Sequence, residues 1–347
     1  MEVLLDCYFD NVFCQLDRTS LMVPYRRRQL VDYLNTMIQG CVQGEDCDHD
    51  TGVRRAVLAA IRHHATTVST NGTVCLMGKF HNILYIATKL CYDWKLEDTQ
   101  IVSRLLNDIY RCEKTFERLM IGAIFGTRVT HFISGWKSDF ESPEESLAAL
   151  EYFLQHATKA RLEYTNEVDG KKVRFADVPM ESYGRTQAVR AAAQFSKDEV
   201  LLLLLRYGAD LMADYENREV AVEQSLQQLN AFCTANLPLT QTPGPLACIK
   251  ILLRTVPTMT TLASTSFNCV SIDTEKVFGT NKLYFHPLLF TTGVIPTSRS
   301  GITPPELKHL CRCAIRDILR KNWQLPLGIR SLEIPTSLQD YLDLLED

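Results

Sequence analysis

Two neighbouring stretches of the sequence indicate a helical fold: Gly184-Arg-Thr-Gln-Ala-Val-Arg-Ala-Ala192 and, shortly after it, Val200-Leu-Leu-Leu-Leu-Leu-Arg-Tyr-Gly-Ala-Asp210. Small alanines in the first stretch let a second helix approach closely, and the leucines of the second stretch are suited to a buried core. Gly208 is suited to the left-handed cap that commonly ends a helix. The two stretches predict a pair of packed helices, with leucines that need further helices beside them.

This pair resembles an ankyrin repeat, in which a Gly-x-Thr turn, paired alanines and a closing Gly-Ala-Asp recur. Gln187, Ala188 and Val189 stand where that family has Pro-Leu-His, so the repeat is degenerate at its start. Ankyrin-like repeats bury their cores by stacking, which takes about three or more units. The resemblance implies a mainly α fold with an ankyrin-like helical repeat (α-solenoid) body, and a second repeat is expected between Arg218 and Arg254.

The first 160 residues also have helical patterns. Apolar residues spaced by three and four predict helices over 53–62, 83–90, 101–110 and 146–154, and Pro143-Glu-Glu-Ser supplies a start for the last of these. No clear repeat period is visible, so diverged ankyrin-like pairs and a separate helical domain both remain open. We divide the chain into a helical region 1–160, ankyrin-like repeats 161–295 and a tail 303–347, with 297–301 as linker.

Between Leu162 and Phe175 the helical period is lost. Tyr164, Val168, Val173 and Phe175 fall among polar residues around Asp169-Gly170, which is a hairpin turn signal. The pattern predicts one β-hairpin, and an irregular loop is the alternative. A lone hairpin is marginally stable by itself, so it must lie against neighbouring helices or project as a finger.

The tail has two amphipathic segments. The first is a helix on which one apolar stripe runs along Leu307, Leu310, Cys311, Ala314, Ile315 and Ile318, while Arg312, Arg316 and Arg320 lie mainly off it. The second is Leu332-Glu-Ile-Pro335, followed by a helix that begins near Ser337. The two segments have more apolar surface than they can bury on each other and no group suited to covalent chemistry. They predict a docking element, and a terminal helical hairpin that only caps the repeat stack is the alternative.

These two segments resemble a SOCS box, and with the ankyrin-like pair the chain resembles the ankyrin repeat and SOCS box family. The resemblance implies that an elongin C-binding helix presents Leu307, Leu310, Cys311 and Ile315. It also implies a cullin-binding segment with Leu332, Ile334, Pro335, Leu338 and Tyr341. Glu333 replaces a proline of the family's cullin motif. The upstream Leu325-Pro-Leu-Gly328 is a less suitable register, because Leu and Tyr do not follow it at the right distance.

The same resemblance implies a function. The chain is expected to be the substrate-recognition subunit of an E3 ubiquitin ligase, with elongin B/C, cullin 5 and its RING partner as partners and an unidentified protein as target. It would not itself be an enzyme. The alternative is an ankyrin scaffold that binds elongins or other proteins without assembling a ligase.

Composition excludes several other classes of protein. With 46% hydrophobic and 22% charged residues and a net charge of −4, the chain is neither disordered nor a strongly basic nucleic-acid binder. No stretch reaches the roughly 18 apolar residues of a membrane span, and the amino terminus lacks the features of a secretory signal. We expect a cytoplasmic location, with the nucleus as a second compartment, and twelve reduced cysteines.

No metal site or cofactor is predicted. The candidate zinc ligands are His63, His64, Cys75, His81 and Cys91, but no pair of them has the Cys-x-x-Cys or His-x-x-x-His spacing that places two ligands on one face. The glycines form no phosphate-binding loop, and no nucleophile motif is visible. Catalysis by this chain is therefore not expected.

Overall fold

The structure is a computed structural model. It describes residues 2–16, 24–43, 49–75, 81–134, 138–167, 170–211, 243–258, 291–300 and 302–347, together with residues 229 and 289. The described chain is mainly helical and forms two compact units, Met1–Arg185 and Thr186–Asp347.

The first unit is a set of helices with one small sheet. Its helices are α1 (Glu2–Cys14), α2 (Pro24–Gln43), α3 (His49–Thr70), α4 (Asn82–Asp93), α5 (Thr99–Glu113), α6 (Glu117–Phe125), α7 (Thr130–Ser134) and α8 (Pro143–Lys159). All four helices predicted from apolar spacing are confirmed, within α3, α4, α5 and α8. The unit's core includes the buried faces of α3 to α6 and of α8.

Two helix starts follow from local side-chain chemistry. The Asp98 carboxylate accepts hydrogen bonds from the backbone N–H groups of Gln100 and Ile101, at the start of α5. At the start of α8 the Ser142 hydroxyl accepts one from the Glu145 N–H, and Pro143 is the first helical residue. Such caps satisfy backbone donors that have no partner inside the helix. The predicted start at Pro143 is therefore confirmed.

The predicted hairpin is also confirmed. Strands β1 (Glu163–Thr165) and β2 (Lys172–Arg174) pair antiparallel, with Tyr164 opposite Val173. Tyr164 is buried, and its ring centroid lies 4.4 Å from that of Tyr110 and 5.0 Å from that of Phe116. The hairpin thus lies against α5 and the start of α6, while residues 168 and 169 of its predicted turn lie outside the described residues.

The second unit joins the repeat-like helices to the tail. Its helices are α9 (Ala188–Gln194), α10 (Asp198–Arg206), α11 (Pro243–Thr255), α12 (Thr297–Ser300), α13 (Leu307–Lys321) and α14 (Thr336–Leu342), with a 3₁₀ turn at Leu327–Ser331. Helix α10 packs against both α9 and α11. The alanines of α9 and most leucines of α10 are buried, as the ankyrin-like pattern predicts.

Gly208 ends the α10 segment at a crowded position. Its φ of +80° is one that residues with a side chain rarely adopt. A Cβ atom placed there would lie 3.1 Å from Cγ of Arg320 and 3.4 Å from Cδ1 of Leu325. The backbone conformation therefore favours glycine, and a larger residue would also force the Arg320 side chain to shift.

Three further predictions concern the second repeat, the linker at 297–301 and the domain boundaries. The second repeat, expected from Arg218, lies outside the described residues except for Leu229 and the stretch from Pro243, which is helical. The stretch 297–301, expected to be a linker, includes helix α12, in which Arg299 is buried and pairs with Glu306 at 2.9 Å. The three predicted domain boundaries stay predictions. In the described residues no helix is both long and apolar enough for a membrane span.

Candidate docking surface on the C-terminal helices

Helix α13 presents its apolar stripe to solvent. Leu307 is 76% exposed and Ile318 is 59% exposed, and the side chains between them on the same stripe, Leu310, Cys311 and Ile315, are exposed as well. Burying apolar surface is the main favourable term in folding, so the exposed part of this stripe does not stabilise the isolated chain. It is available to a partner.

The polar face of α13 is the buried one. Nε2 of His309 lies 2.7 Å from the carbonyl oxygen of Val256, and the Arg312 Nη1 donates to the carbonyl of Glu346 at 3.2 Å. The Arg316 guanidinium donates to two carbonyls, at 2.7 Å and 2.6 Å, those of Leu342 and Leu205. The helix is therefore held by hydrogen bonds from its charged side, the reverse of the usual amphipathic arrangement.

These contacts explain why buried guanidinium groups are tolerated. Burial lowers the pKa of Arg316 to about 10, which still leaves the group charged near neutral pH. Burying an unpaired charge is costly, but each of these guanidiniums has acceptors within hydrogen-bond distance. Because the acceptors are fixed backbone carbonyls, they also fix the rotation of the helix about its axis. The direction of the apolar stripe follows from that rotation.

The second predicted segment has a mixed environment. Leu332 and Ile334 are half-buried and pack against the cluster formed by Leu325, Ile329 and Leu342. Pro335 and Leu338 lie at the surface. The first two apolar residues thus pack against this cluster, and the side chains of Pro335 and Leu338 are exposed to solvent. Leu325, from the less suitable upstream register, is a core residue of this cluster.

Tyr341 differs from the other residues of the predicted cullin-binding set. It is only 5% exposed, and its ring centroid lies 4.0 Å from Cζ of Arg312 and 4.0 Å from Nζ of Lys308. Cations over an aromatic face are attracted to its negative electrostatic potential. The position of Tyr341 is therefore that of a residue that holds α14 against α13.

Other contacts join the tail to the repeat-like helices. Arg254 of α11 donates to the carbonyl of Leu344 at 2.9 Å, and Arg320 pairs with Asp210 at 3.1 Å. The arginines of α13 lie off the apolar stripe, and the sequence pattern predicted no role for them. Their spacing at positions 312, 316 and 320 was a usable signal, because residues four apart share one face of a helix.

Comparison with known proteins identifies this region. A family model of the SOCS box matches residues 303–343. Curated relatives with similar segments include ankyrin repeat and SOCS box protein 17 of Canis lupus familiaris, 54% identical over 50 residues, which are 14% of this chain and 17% of the relative. The Homo sapiens protein of the same name is 48% identical over 60 residues, 17% of this chain and 20% of the relative. No solved structure matches.

The extent of these matches is limited. The chain spans about a fifth or less of the length of the curated relatives it matches. Within that limit, the family model covers both helices of the candidate docking surface, from the residues before α13 to Asp343. The chain therefore contains a SOCS box at residues 303–343, and over 50 to 60 residues it is similar to curated proteins named ankyrin repeat and SOCS box protein 17.

Proposed function

We propose that this protein is a substrate receptor of a cullin-RING ubiquitin ligase, in which the SOCS box joins the ligase and the repeat-like body binds the protein to be ubiquitinated. The observation that carries the proposal is the apolar stripe of α13, turned outward because the opposite face is bound to backbone carbonyls. A stripe fixed in this way is a preorganised interface, which lowers the entropy cost of binding.

Elongin C, in its complex with elongin B, is the proposed occupant of the stripe. Leu307, Leu310, Cys311 and Ile315 would make the contact. Leu307, the most exposed of them, would enter an apolar pocket, and burying one such leucine contributes about 1.5–3 kcal/mol. The small Cys311 side chain would let the partner approach the helix backbone closely.

Cullin 5 with its RING partner is the proposed ligand of the second segment. Pro335 and Leu338 are exposed and suited to direct contact. Leu332 and Ile334 pack against the neighbouring apolar cluster and hold the segment in place. Tyr341 is assigned a positioning role, since it is covered by Arg312. Glu333, which is exposed, replaces the proline of the family motif and leaves the turn less rigid.

The contribution of this chain to ubiquitination would be geometric. Holding a target lysine near a charged conjugating enzyme raises the effective concentration of the two groups, and the transfer chemistry belongs to other subunits. The chain is accordingly proposed to be an adaptor and not an enzyme, acting in the cytoplasm and the nucleus. The target would bind the exposed surface of the body.

Co-purification with elongins B and C tests the proposal. The variant L307R/C311R should lose both elongins, because two cationic side chains cannot be buried in an apolar pocket. Both positions are exposed, so the fold should survive the change. Leu4→Arg is the matched control, since Leu4 is a helical leucine with a similar exposed fraction, 69%. Retention of the elongins by L307R/C311R would refute the assignment.

A second candidate function is a scaffold that binds elongins without a cullin, and Glu333 is the observation that favours it. Mixing the purified elongin complex of this protein with cullin 5 and its RING partner separates the two functions. Binding to cullin 5 supports the ligase receptor. Elongin binding with no measurable cullin association supports the scaffold.

A further inference from the structure

Four potential metal ligands converge in the first unit, far along the chain from the SOCS box. His64 lies on α3, Cys75 follows that helix, His81 directly precedes α4, and Cys112 lies on α5. One ligand atom from each residue lies within 4.8 Å of those of the other three. His64 and His81 are buried, and the two cysteines, both free thiols, are half-buried.

The distances fit a tetrahedral metal ion. With Zn–S bonds of about 2.3 Å and Zn–N bonds of about 2.0–2.1 Å, a tetrahedron places nitrogen and sulfur ligands roughly 3.6 Å apart. Nε2 of His64 lies 3.4 Å from Sγ of Cys75 and 3.6 Å from Sγ of Cys112. Nδ1 of His81 lies 3.6 Å from Sγ of Cys75. All three distances are within a few tenths of an ångström of the tetrahedral value.

The ring of His81 is oriented for metal binding by a neighbouring carboxylate. Its Nε2 lies 2.6 Å from Oε1 of Glu113, and the Tyr85 hydroxyl donates to Oε2 of the same carboxylate at 2.7 Å. A proton on Nε2, shared with Glu113, leaves the lone pair on Nδ1, the atom that faces the cysteines. Metal-binding histidines in proteins nearly always have such a partner on the other nitrogen.

We propose that His64, Cys75, His81 and Cys112 bind one zinc ion that joins helices α3, α4 and α5. Two thiolates and two imidazoles form a tetrahedral S₂N₂ set, which suits zinc, whereas calcium and magnesium need oxygen ligands. The two thiolate charges balance the charge of the ion, which matters at a site whose histidines are buried.

The site would be structural. All four positions are protein ligands, so no position stays open for water or substrate, as a catalytic zinc would require. The ligands come from segments that contact one another as α3 with α4, α4 with α5 and α3 with α5. A metal ion at their junction couples metal binding to folding of this part of the unit.

The sequence-based expectation of no metal site depended on spacing along the chain. The candidate ligands included His64, Cys75 and His81 but not Cys112, which is 31 or more residues from each of the other three. Spacing motifs detect ligands on one short segment. They do not detect a site whose ligands come from segments that are far apart in the sequence.

Metal analysis of the 347-residue chain tests the proposal. The chain is produced in zinc-supplemented medium and purified under reducing conditions without chelators, and mass spectrometry of the metal content should give about one zinc per chain. The C75S/C112S variant should lose that zinc. Cys7→Ser is the matched control, because Cys7 is an exposed free thiol in the same unit, and it should keep the zinc.

A spectroscopic measurement on the wild-type chain tests the metal site even if the double variant folds poorly. Replacing zinc by cobalt(II) in the wild-type chain should give the intense visible bands of a tetrahedral site and a thiolate-to-cobalt charge-transfer band. The positioning variant Glu113→Gln keeps all four ligands and should weaken zinc binding about 10- to 100-fold in competition with a chromophoric chelator.

Three outcomes would overturn the proposal. The first is a folded wild-type chain with no zinc from metal-replete medium, and the second is a C75S/C112S chain that retains it. The third is a Cys75–Cys112 disulfide in the protein as isolated under reducing conditions, because the same sulfurs cannot then bind the ion. Failure of elongin binding would leave this proposal untouched, since the SOCS box lies in the other unit.

Discussion

Arg206, the last residue of α10, binds Asp343 of the SOCS box through two parallel hydrogen bonds, Nε to Oδ1 at 3.0 Å and Nη2 to Oδ2 at 2.8 Å. The Asp343 side chain is 2% exposed and that of Arg206 is 24% exposed. Bidentate Arg–carboxylate pairs are both stronger and more directional than single hydrogen bonds. The pair therefore ties the box to the repeat-like helices, and the two parts are expected to unfold together.

Arg206→Met should destabilise the second unit by roughly 3 kcal/mol, because it leaves a buried carboxylate without its main partner. A second cation, Nη2 of Arg330, lies 3.9 Å from Oδ2 of Asp343. Urea unfolding of the full chain measures the change. Lys321→Met, which breaks an exposed ion pair with Asp317, is the control and should cost less than about 1 kcal/mol. Equal effects of the two substitutions would contradict the anchoring role of Arg206.

Arg316→Lys should destabilise the second unit by about 1–3 kcal/mol, although charge is kept. One guanidinium reaches the carbonyls of Leu342 and Leu205 at the same time, whereas a lysine ammonium is a point donor and leaves one buried carbonyl unpaired. Thermal unfolding measures the loss. An unchanged unfolding temperature would show that the two hydrogen bonds do not hold α13.

Substitutions at Tyr341 and Leu338 should have different effects: the first should reduce the stability of the fold, and the second should reduce cullin 5 binding. Tyr341→Ala removes a buried ring and should cost roughly 3 kcal/mol of unfolding free energy. Leu338→Glu changes a side chain that is 39% exposed, so the fold should lose less than about 1 kcal/mol while cullin 5 binding weakens. Unfolding curves and cullin titrations of both variants are the measurement. A stable Tyr341→Ala variant that has lost only cullin binding would show a direct contact instead.

The first unit should lose stability in mild acid through His156. Burial, and next the charge of Lys159, lowers the pKa of this imidazole to about 4, although Asp98 and the Leu96 backbone act in the opposite direction. Between the ordinary pKa of 6.5 and about 4 the unfolded chain binds more protons, so the free energy of unfolding falls as the pH is lowered through this window.

His156→Gln should reduce that pH dependence, because glutamine does not titrate. Urea unfolding of the wild type and the variant at about pH 7 and about pH 5 gives the difference between their slopes. Other carboxylates and histidines contribute equally to both proteins and cancel in the comparison. Identical slopes for the two proteins would show that His156 is not held neutral by the fold.

Local patterns predicted much of this fold. The helices that contain Val53, Ile83, Ile101 and Ser146 follow from apolar spacing, and the hairpin follows from the loss of that spacing around Gly170. The stripe of α13 was identified for the same reason. Each of these features depends on residues that are close together in the sequence.

The features that were not predicted depend on distant partners. The inward polar face of α13 depends on the carbonyl oxygens of Leu205 and Val256, which carry no side-chain signal. The burial of Tyr341 depends on Arg312 of another helix. The convergence of Cys112 with His64 depends on how α3 packs against α5. Contacts between residues that are far apart in the sequence cannot be predicted from the spacing of residues within one segment.

The outward stripe of α13 is proposed to bind elongin C, and this binding is tested by direct titration of purified elongin B/C complex into the wild-type chain, Leu307→Ala and Leu4→Ala. Leu307→Ala should weaken binding roughly 10- to 150-fold, which corresponds to about 1.5–3 kcal/mol for one buried leucine, and Leu4→Ala should bind as the wild type does. Equal affinities for all three folded proteins would contradict the claim.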